Sequence, residues 1–158
     1  MQRKDFYTLV VFIALYLGVG GMIGALTAPD KDIWYDSLQK STLTPPSFVF
    51  GIVWPALYVM IGIAAGRIWR QRGNPGAKPI ITLFALQTIL NWGWSFVFFT
   101  FHQEFLAFVW LIALLVVVAV LILKLSRFDR VAALWMTPYA AWLCFASYLS
   151  SMVWVLNR

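Results

Sequence analysis

Aromatic and amide side chains that recur every three or four residues are the features of this 158-residue chain that could do chemistry. They form three sets, and each set occupies one face of its own helix. The first set is Phe50, Trp54 and Tyr58, and the second is Gln87, Asn91 and Ser95, with Trp94 beside them. The third set is Tyr139, Trp142, Ala146 and Ser150. Ligand pockets are typically apolar cavities with a few placed polar groups. The pattern therefore predicts a pocket for a flat, mostly apolar ligand.

The residue types that other chemistry needs are scarce. The chain has one histidine, His102, and one cysteine, Cys144, which is too few for a structural zinc site or an intrachain disulfide. No Asp, Glu, Lys or Arg lies in the middle of an apolar segment, whereas proton pumps and ion-coupled carriers usually place ionisable groups there. No nucleophile–base pair or phosphate-binding loop is visible. We expect no metal site, no obligatory cofactor and no electrostatic translocation mechanism.

The composition indicates the elements that must position these residues. The chain is 62% hydrophobic and only 11% charged, against about 25% charged in soluble domains. We predict an all-α integral membrane protein, a single domain over 1–158 with five transmembrane helices at about 6–28, 48–69, 80–101, 105–124 and 131–156. The first segment is longer than a signal-peptide core, and its Gly20-x-x-x-Gly24 motif favours a retained, packed helix.

The distribution of basic residues predicts the orientation. Nine of the twelve Lys and Arg residues lie on the side of the N-terminus, the second loop and the fourth loop. If the membrane is a bacterial inner membrane, the positive-inside rule places the N-terminus in the cytoplasm and the C-terminus outside; the sequence leaves the choice between inner and outer membrane open. Because the basic residues are divided among short loops and not gathered on one face, nucleic acid is not an expected partner.

The long first loop ends at Pro45-Pro46, directly before the Phe50 set. Proline suits a helix start, and it pushes the preceding residue towards extended backbone. We predict that this loop folds back over the bundle as a lid carrying Trp34 and Tyr35. Since an amide is costly against lipid, the Asn91 face should point inward. An alternative stays open, in which Gln87 and Asn91 only cross-link helices and the rings only pack.

Three stretches carry a family resemblance. They are "WYDSLQK…PP…FGIVWPALYVM" (34–60), "QTILNWGWSFVFF" (87–99) and "PYAAWLCFASYLS" (138–150). The chain resembles the TspO/MBR family, the tryptophan-rich sensory proteins related to the mitochondrial translocator protein, or peripheral benzodiazepine receptor. The resemblance implies a five-helix bundle, commonly a homodimer, that binds porphyrins such as protoporphyrin IX, haem, and synthetic isoquinoline-carboxamide and benzodiazepine ligands.

Carried over by position, the family's pocket implies a set of ligand-binding residues in this sequence. With Tyr139 added from the periodicity, the expected residues are Tyr35, Trp54, Tyr58, Asn91, Trp94, Tyr139, Trp142 and Ala146, with Phe50, Gln87, Cys144 and Ser147 as further candidates. The sequence departs from the family pattern at Ser41 and Leu43, where a proline and an aromatic are usual. The cholesterol motif of animal members is also unmatched, because Ser151 stands where its tyrosine is expected.

Three functions fit these observations. The first is a sensor or transporter that binds tetrapyrroles inside the bundle. The second, implied by the resemblance, is light-dependent degradation of protoporphyrin IX in which Trp54 and Trp142 take part. The third is a structural or assembly protein whose aromatic residues serve packing, with Gly20/Gly24 and Gly62/Gly66 as close helix contacts.

Overall fold

Five long helices account for nearly all of the chain. The computed structural model describes residues 3–158, and for 30–33 it describes the backbone alone. The elements are α1 (Arg3–Ile33), a single 3-10 turn at Tyr35–Ser37, α2 (Ser47–Arg70), α3 (Ala77–Ser95) with a π-helical turn at Phe96–Thr100, α4 (Glu104–Phe128) and α5 (Arg130–Asn157). The predicted all-α membrane fold is confirmed, since all five helices are long and apolar enough to cross a bilayer.

The helix ends follow local sequence signals. Pro46 precedes the first residue of α2, where a missing backbone N–H costs nothing. Gly76 precedes α3 with φ +84°, a left-handed conformation that glycine adopts without strain. Asp129 caps α5, because its carboxylate accepts hydrogen bonds from the backbone N–H groups of Val131 and Ala132. Pro55 and Pro138 lie inside α2 and α5, and both helices continue through them.

The helices form a ring in the order α1, α2, α5, α4, α3. Neighbours in this order make the main contacts, and α3 with its π-helical turn closes the ring against α1. Large apolar side chains such as Ile52, Leu123 and Leu134 are exposed on the outside, as expected of a surface that faces lipid. The interior is filled by side chains that include Ile61, Leu121 and Met136.

The Gly62/Gly66 motif is used inside the chain. A Cβ atom placed at Gly62 would lie 2.7 Å from Cα of Ile13, and one at Gly66 would lie 2.8 Å from Cδ2 of Leu9. The two glycines therefore let the backbones of α1 and α2 approach closely, as small residues do between membrane helices.

Gly62→Ala is expected to lower the free energy of unfolding of the detergent-solubilised protein by about 1–3 kcal/mol, because α1 must move away from α2. Gly18→Ala is the matched control, since a Cβ atom added to Gly18 on α1 would meet no other atom within 4 Å. Alanine is the better helix former, so the control should be neutral or stabilising. Equal thermal melts for the two variants would contradict the close-contact explanation.

Candidate functional site

A cavity of about 440 Å³ lies between α1, α2, α5 and the end of α3, beside the 3-10 turn of the first loop. Of the described residues, none from α4 lines it. The aromatic residues that line it are Tyr35, Phe50, Trp54, Tyr58, Trp94, Phe98, Phe99 and Trp142. The other lining residues from α5 are Ala146, Leu149, Ser150 and Val153. Elements that are distant in sequence thus contribute to one largely apolar space.

The indole and phenol rings form most of the wall. Trp54 and Tyr58 are one helical turn apart on α2, with ring centroids 5.5 Å apart. Trp142 of α5 meets Phe50 of α2 edge-to-face at 5.7 Å. These are favourable separations for aromatic pairs, so the rings support one another while still bordering the cavity.

The π-helical turn at the end of α3 supplies another part of the wall. Trp94 and Phe98 stack at 5.1 Å with an interplanar angle of 11°. The Trp94 indole N–H donates to the backbone carbonyl of Ala107 on α4 at 3.1 Å. This bond fixes the indole from behind, so that α4 positions a cavity residue without lining the cavity. Turns of this kind are frequent at functional sites.

The α1 side of the cavity includes several small residues that are absent from the predicted site. Gly20, Gly21, Gly24 and Thr27 all line it. A Cβ atom at Gly20 would overlap the Tyr58 ring, whereas Gly24 has no atom near its Cβ position. The Gly20-x-x-x-Gly24 motif was the sequence feature that could have indicated this part of the cavity wall. Such a motif, however, is equally consistent with the close approach of a helix, a ring or a ligand.

The first loop packs across this end of the bundle. Trp34 stacks on His102 of the α3–α4 loop with ring centroids 4.3 Å apart, and it meets Phe98 edge-to-face at 5.4 Å. Tyr35 packs edge-to-face against Phe98 and Phe99 and lines the cavity. The loop is thereby held against the π-helical turn by aromatic contacts.

Polar contacts attach the same loop to α5. The Asn157 side chain accepts from the Gln39 backbone N–H and donates to the Gln39 carbonyl, both at 2.9 Å. The Ser41 hydroxyl lies 3.0 Å from the Tyr148 hydroxyl, so one position that departs from the family pattern has its own contact in this chain.

Tyr35 is held by a basic neighbour within the loop. Nζ of Lys40 donates to the Tyr35 carbonyl at 2.8 Å and lies 4.4 Å from the centre of its ring. Burial, followed by the charge of Asp36, raises the pKa of the Tyr35 phenol. The phenol is thus a hydrogen-bond donor at neutral pH.

The structure brings most of the predicted site residues to the cavity. Those that line it are Tyr35, Phe50, Trp54, Tyr58, Trp94, Trp142 and Ala146. Cys144 is exposed on the outside of α5, and Ser147 is buried and donates to the Leu143 carbonyl of its own helix. Neither residue is among those that line the cavity.

The predicted polar residues Asn91, Tyr139 and Gln87 lie behind the wall. The Asn91 amide donates to the Tyr139 hydroxyl at 2.8 Å and links α3 to α5, and both residues are buried. Gln87 donates to the Thr88 hydroxyl, which also meets the Tyr16 hydroxyl of α1. Asn91 and Tyr139 thus cross-link α3 to α5, as the simpler interpretation of the sequence allowed, whereas the Gln87 amide bonds within α3. None of the three residues lines the cavity.

Two residues that line the cavity each carry a buried polar atom with no hydrogen-bond partner within the described residues. These atoms are the indole N–H of Trp142 and the hydroxyl of Ser150, both on α5. Unpaired buried polar groups are costly, but neither atom is accessible from the cavity in this conformation, so a ligand or a water molecule would reach them only after a side-chain movement. Ser150 belongs to the set of residues predicted to share one face of α5, but it was not among the predicted ligand-binding residues.

The fold and the cavity define the class of this protein as a multi-pass integral membrane protein, a five-helix bundle that contains an aromatic-walled cavity. The TspO/MBR family profile matches residues 11–155. A tryptophan-rich protein TspO of Chlorobaculum tepidum is 32% identical over 99% of both chains. The translocator protein of Bos taurus is 32% identical over 94% of this chain and 89% of its own length. Protein CrtK of Rhodobacter capsulatus is 30% identical over 94% of this chain and 91% of its own length. The chain belongs to the TspO/MBR family.

Proposed function

We propose that this chain binds tetrapyrroles, such as protoporphyrin IX or haem, in the cavity and acts as a membrane sensor or transporter for them. The observation that carries the proposal is the convergence of three indoles, Trp54, Trp94 and Trp142, from three helices on one cavity. Its volume of about 440 Å³ lies within the range of roughly 300–1,000 Å³ that is usual for small-molecule sites. Broad ring faces suit a flat, apolar macrocycle.

The polar groups near the cavity suit the remaining chemistry of a porphyrin. A movement of their side chains would bring the buried, unpaired Trp142 N–H and Ser150 hydroxyl on α5 to a polar edge of the ligand. Lys40, which packs on the Tyr35 ring, places a cation beside the cavity, where a ligand carboxylate would find a charge-assisted partner.

The test is a titration of the purified protein that follows quenching of tryptophan fluorescence by protoporphyrin IX, with haem and a sterol in parallel. Saturable quenching, together with a rise in melting temperature on ligand addition, is the expected result for the tetrapyrroles. A linear, non-saturating response to all three compounds would contradict the proposal and would favour a structural role for the aromatic residues.

We also propose that the first loop acts as a lid, since Tyr35 lines the cavity and Asn157 holds the loop. Asn157→Ala removes the two hydrogen bonds from this side chain to the loop, each worth about 1 kcal/mol. Protoporphyrin IX dissociation should therefore become roughly 30-fold faster, the factor that about 2 kcal/mol gives. Stopped-flow displacement measures this rate. Gln103→Ala removes an exposed amide that bonds only within its own loop and should leave the rate unchanged. Equal dissociation rates in wild type and Asn157→Ala would exclude the lid.

The orientation of the chain in the membrane and its assembly as a homodimer are predictions from the sequence. The N-terminus is expected in the cytoplasm of a bacterial cell, which accessibility labelling of single engineered cysteines measures. Light scattering of the detergent-solubilised protein should give the mass of a homodimer. Because Gly62 and Gly66 pack against α1 of the same chain, the dimer contact must use another face.

A further inference from the structure

A second cleft lies at the opposite end of the bundle from the aromatic cavity. It has a volume of about 500 Å³ and is bordered by the start of α1, the end of α2 and the loop residue that precedes α5. Its charged lining consists of Lys4, Asp5, Arg67, Arg70, Arg72 and Asp129. None of these residues belongs to the proposed tetrapyrrole site.

Two of the four cations in the cleft are neutralised by its two carboxylates. Arg67 directs Nε and Nη2 at Asp129, with Nη2 at 3.0 Å from Oδ1. Arg70 Nε forms an ion pair with Asp5 at 2.9 Å. Among the side chains that the structure describes, Lys4 and Arg72 have no carboxylate partner. The cleft therefore keeps an excess of two positive charges on exposed side chains.

The surroundings of the cleft are those of a membrane interface. Trp69 lines it, is 45% exposed, and carries the Arg72 guanidinium at 5.1 Å from its ring. Phe6 and Tyr7 in the first turns of α1 are 52% and 62% exposed. Interfacial aromatics mark the headgroup level, so a cationic cleft and an outward apolar surface adjoin at that depth.

We propose that this cleft binds a phosphate group, and that the phosphate is the headgroup of an anionic phospholipid. Guanidinium groups match phosphate oxygens with paired donors, and lysine adds a compact charge. Basic pockets between transmembrane helices are suited to such headgroups. The adjoining apolar surface of α1 gives acyl chains a place to lie, which a soluble phosphate does not need.

The experiment measures binding of phosphatidylglycerol, phosphatidylcholine and inorganic phosphate to the purified full chain in a neutral detergent. Melting temperature is followed as each is titrated, and retained lipid is counted by native mass spectrometry. The test variant is Lys4→Ala/Arg72→Ala, which removes the two unbalanced cations. The matched control is Lys124→Ala/Arg127→Ala, because these exposed residues lie at the same end of the bundle and outside the cleft.

Wild type and the control should retain phosphatidylglycerol in preference to phosphatidylcholine. Lys4→Ala/Arg72→Ala should lower the apparent affinity for phosphatidylglycerol roughly 30-fold, with its melting temperature without lipid unchanged. Equal loss in both double variants would show an effect of net charge alone and would overturn the proposal. No preference for phosphatidylglycerol in the wild type would do the same. Stabilisation by inorganic phosphate equal to that by phosphatidylglycerol would retain the phosphate site and overturn its assignment to lipid.

Discussion

Replacing Trp142 with alanine is expected to weaken protoporphyrin IX binding by about 30-fold. The indole borders the cavity and is braced by Phe50 at 5.7 Å and by Phe145 at 5.6 Å. Stacking of a flat heterocycle on an aromatic side chain contributes about 1–3 kcal/mol, and about 2 kcal/mol corresponds to about 30-fold in Kd. Fluorescence or absorbance titration measures the change, and Trp54→Ala should have an effect of similar size.

The design of this test separates the cavity from general packing. Trp154→Ala is the control, because Trp154 lies on the same helix, packs on Phe105 and Phe108, and does not line the cavity. Trp142→Phe keeps a ring and should lose much less affinity than the alanine variant. If Trp54→Ala and Trp142→Ala both bind with wild-type affinity, the tetrapyrrole site is not this cavity.

Asp129→Ala is expected to lower the free energy of unfolding by about 3 kcal/mol. The side chain is only 5% exposed, and it is the acceptor for Arg67 at 3.0 Å and for the Gln71 amide at 2.6 Å. It also caps α5, and a lost cap costs about 1 kcal/mol. Breaking a buried ion pair costs about 3–5 kcal/mol, but Arg67 is 31% exposed, so solvent offsets part of that penalty.

Thermal or denaturant unfolding in detergent checks this value against two variants. Asp129→Asn can still accept the capping bonds and should lose less stability than the alanine variant. Asp36→Ala removes an exposed ion pair with Lys40 at 3.6 Å, in which Asp36 is 67% exposed, and should change stability by less than about 1 kcal/mol. A similar loss for Asp36→Ala and Asp129→Ala would mean that burial and capping do not determine the effect.

The same carboxylate predicts how stability depends on pH. Burial raises the pKa of Asp129, but hydrogen bonds from Arg67, Ala132 and Gln71, together with the Arg67 charge, outweigh burial and hold the pKa below its ordinary value. A lowered pKa in the folded state stabilises the fold above the unfolded-state pKa, and this contribution is lost as pH falls through the folded-state pKa. Asp129→Asn should therefore flatten the acid side of the stability profile.

The position of each helix could be predicted from sequence because the membrane requires long uninterrupted apolar segments. The ends were less predictable. α4 extends to Phe128, past the predicted limit at 124. The third helix ends within one residue of its predicted limit at 101, but its last turn, Phe96–Thr100, is π-helical. Charged residues such as Lys124 and Arg127 can stay helical and reach the interface with their side chains, so the end of hydrophobicity is not the end of a helix.

Helical periodicity alone determined which residues of α2, α3 and α5 share a face, and thus proposed Trp54, Tyr58 and Trp142 as one site. Only the tertiary structure decided which faces reach the cavity. Asn91 finds its partner Tyr139 across 48 residues of sequence, so its donor is satisfied between helices, behind the wall. On α1, only a residue without a side chain fits at Gly20, because a Cβ atom there would overlap the Tyr58 ring. Periodicity gives a direction around one helix, whereas a cavity depends on the volumes that several helices leave unfilled.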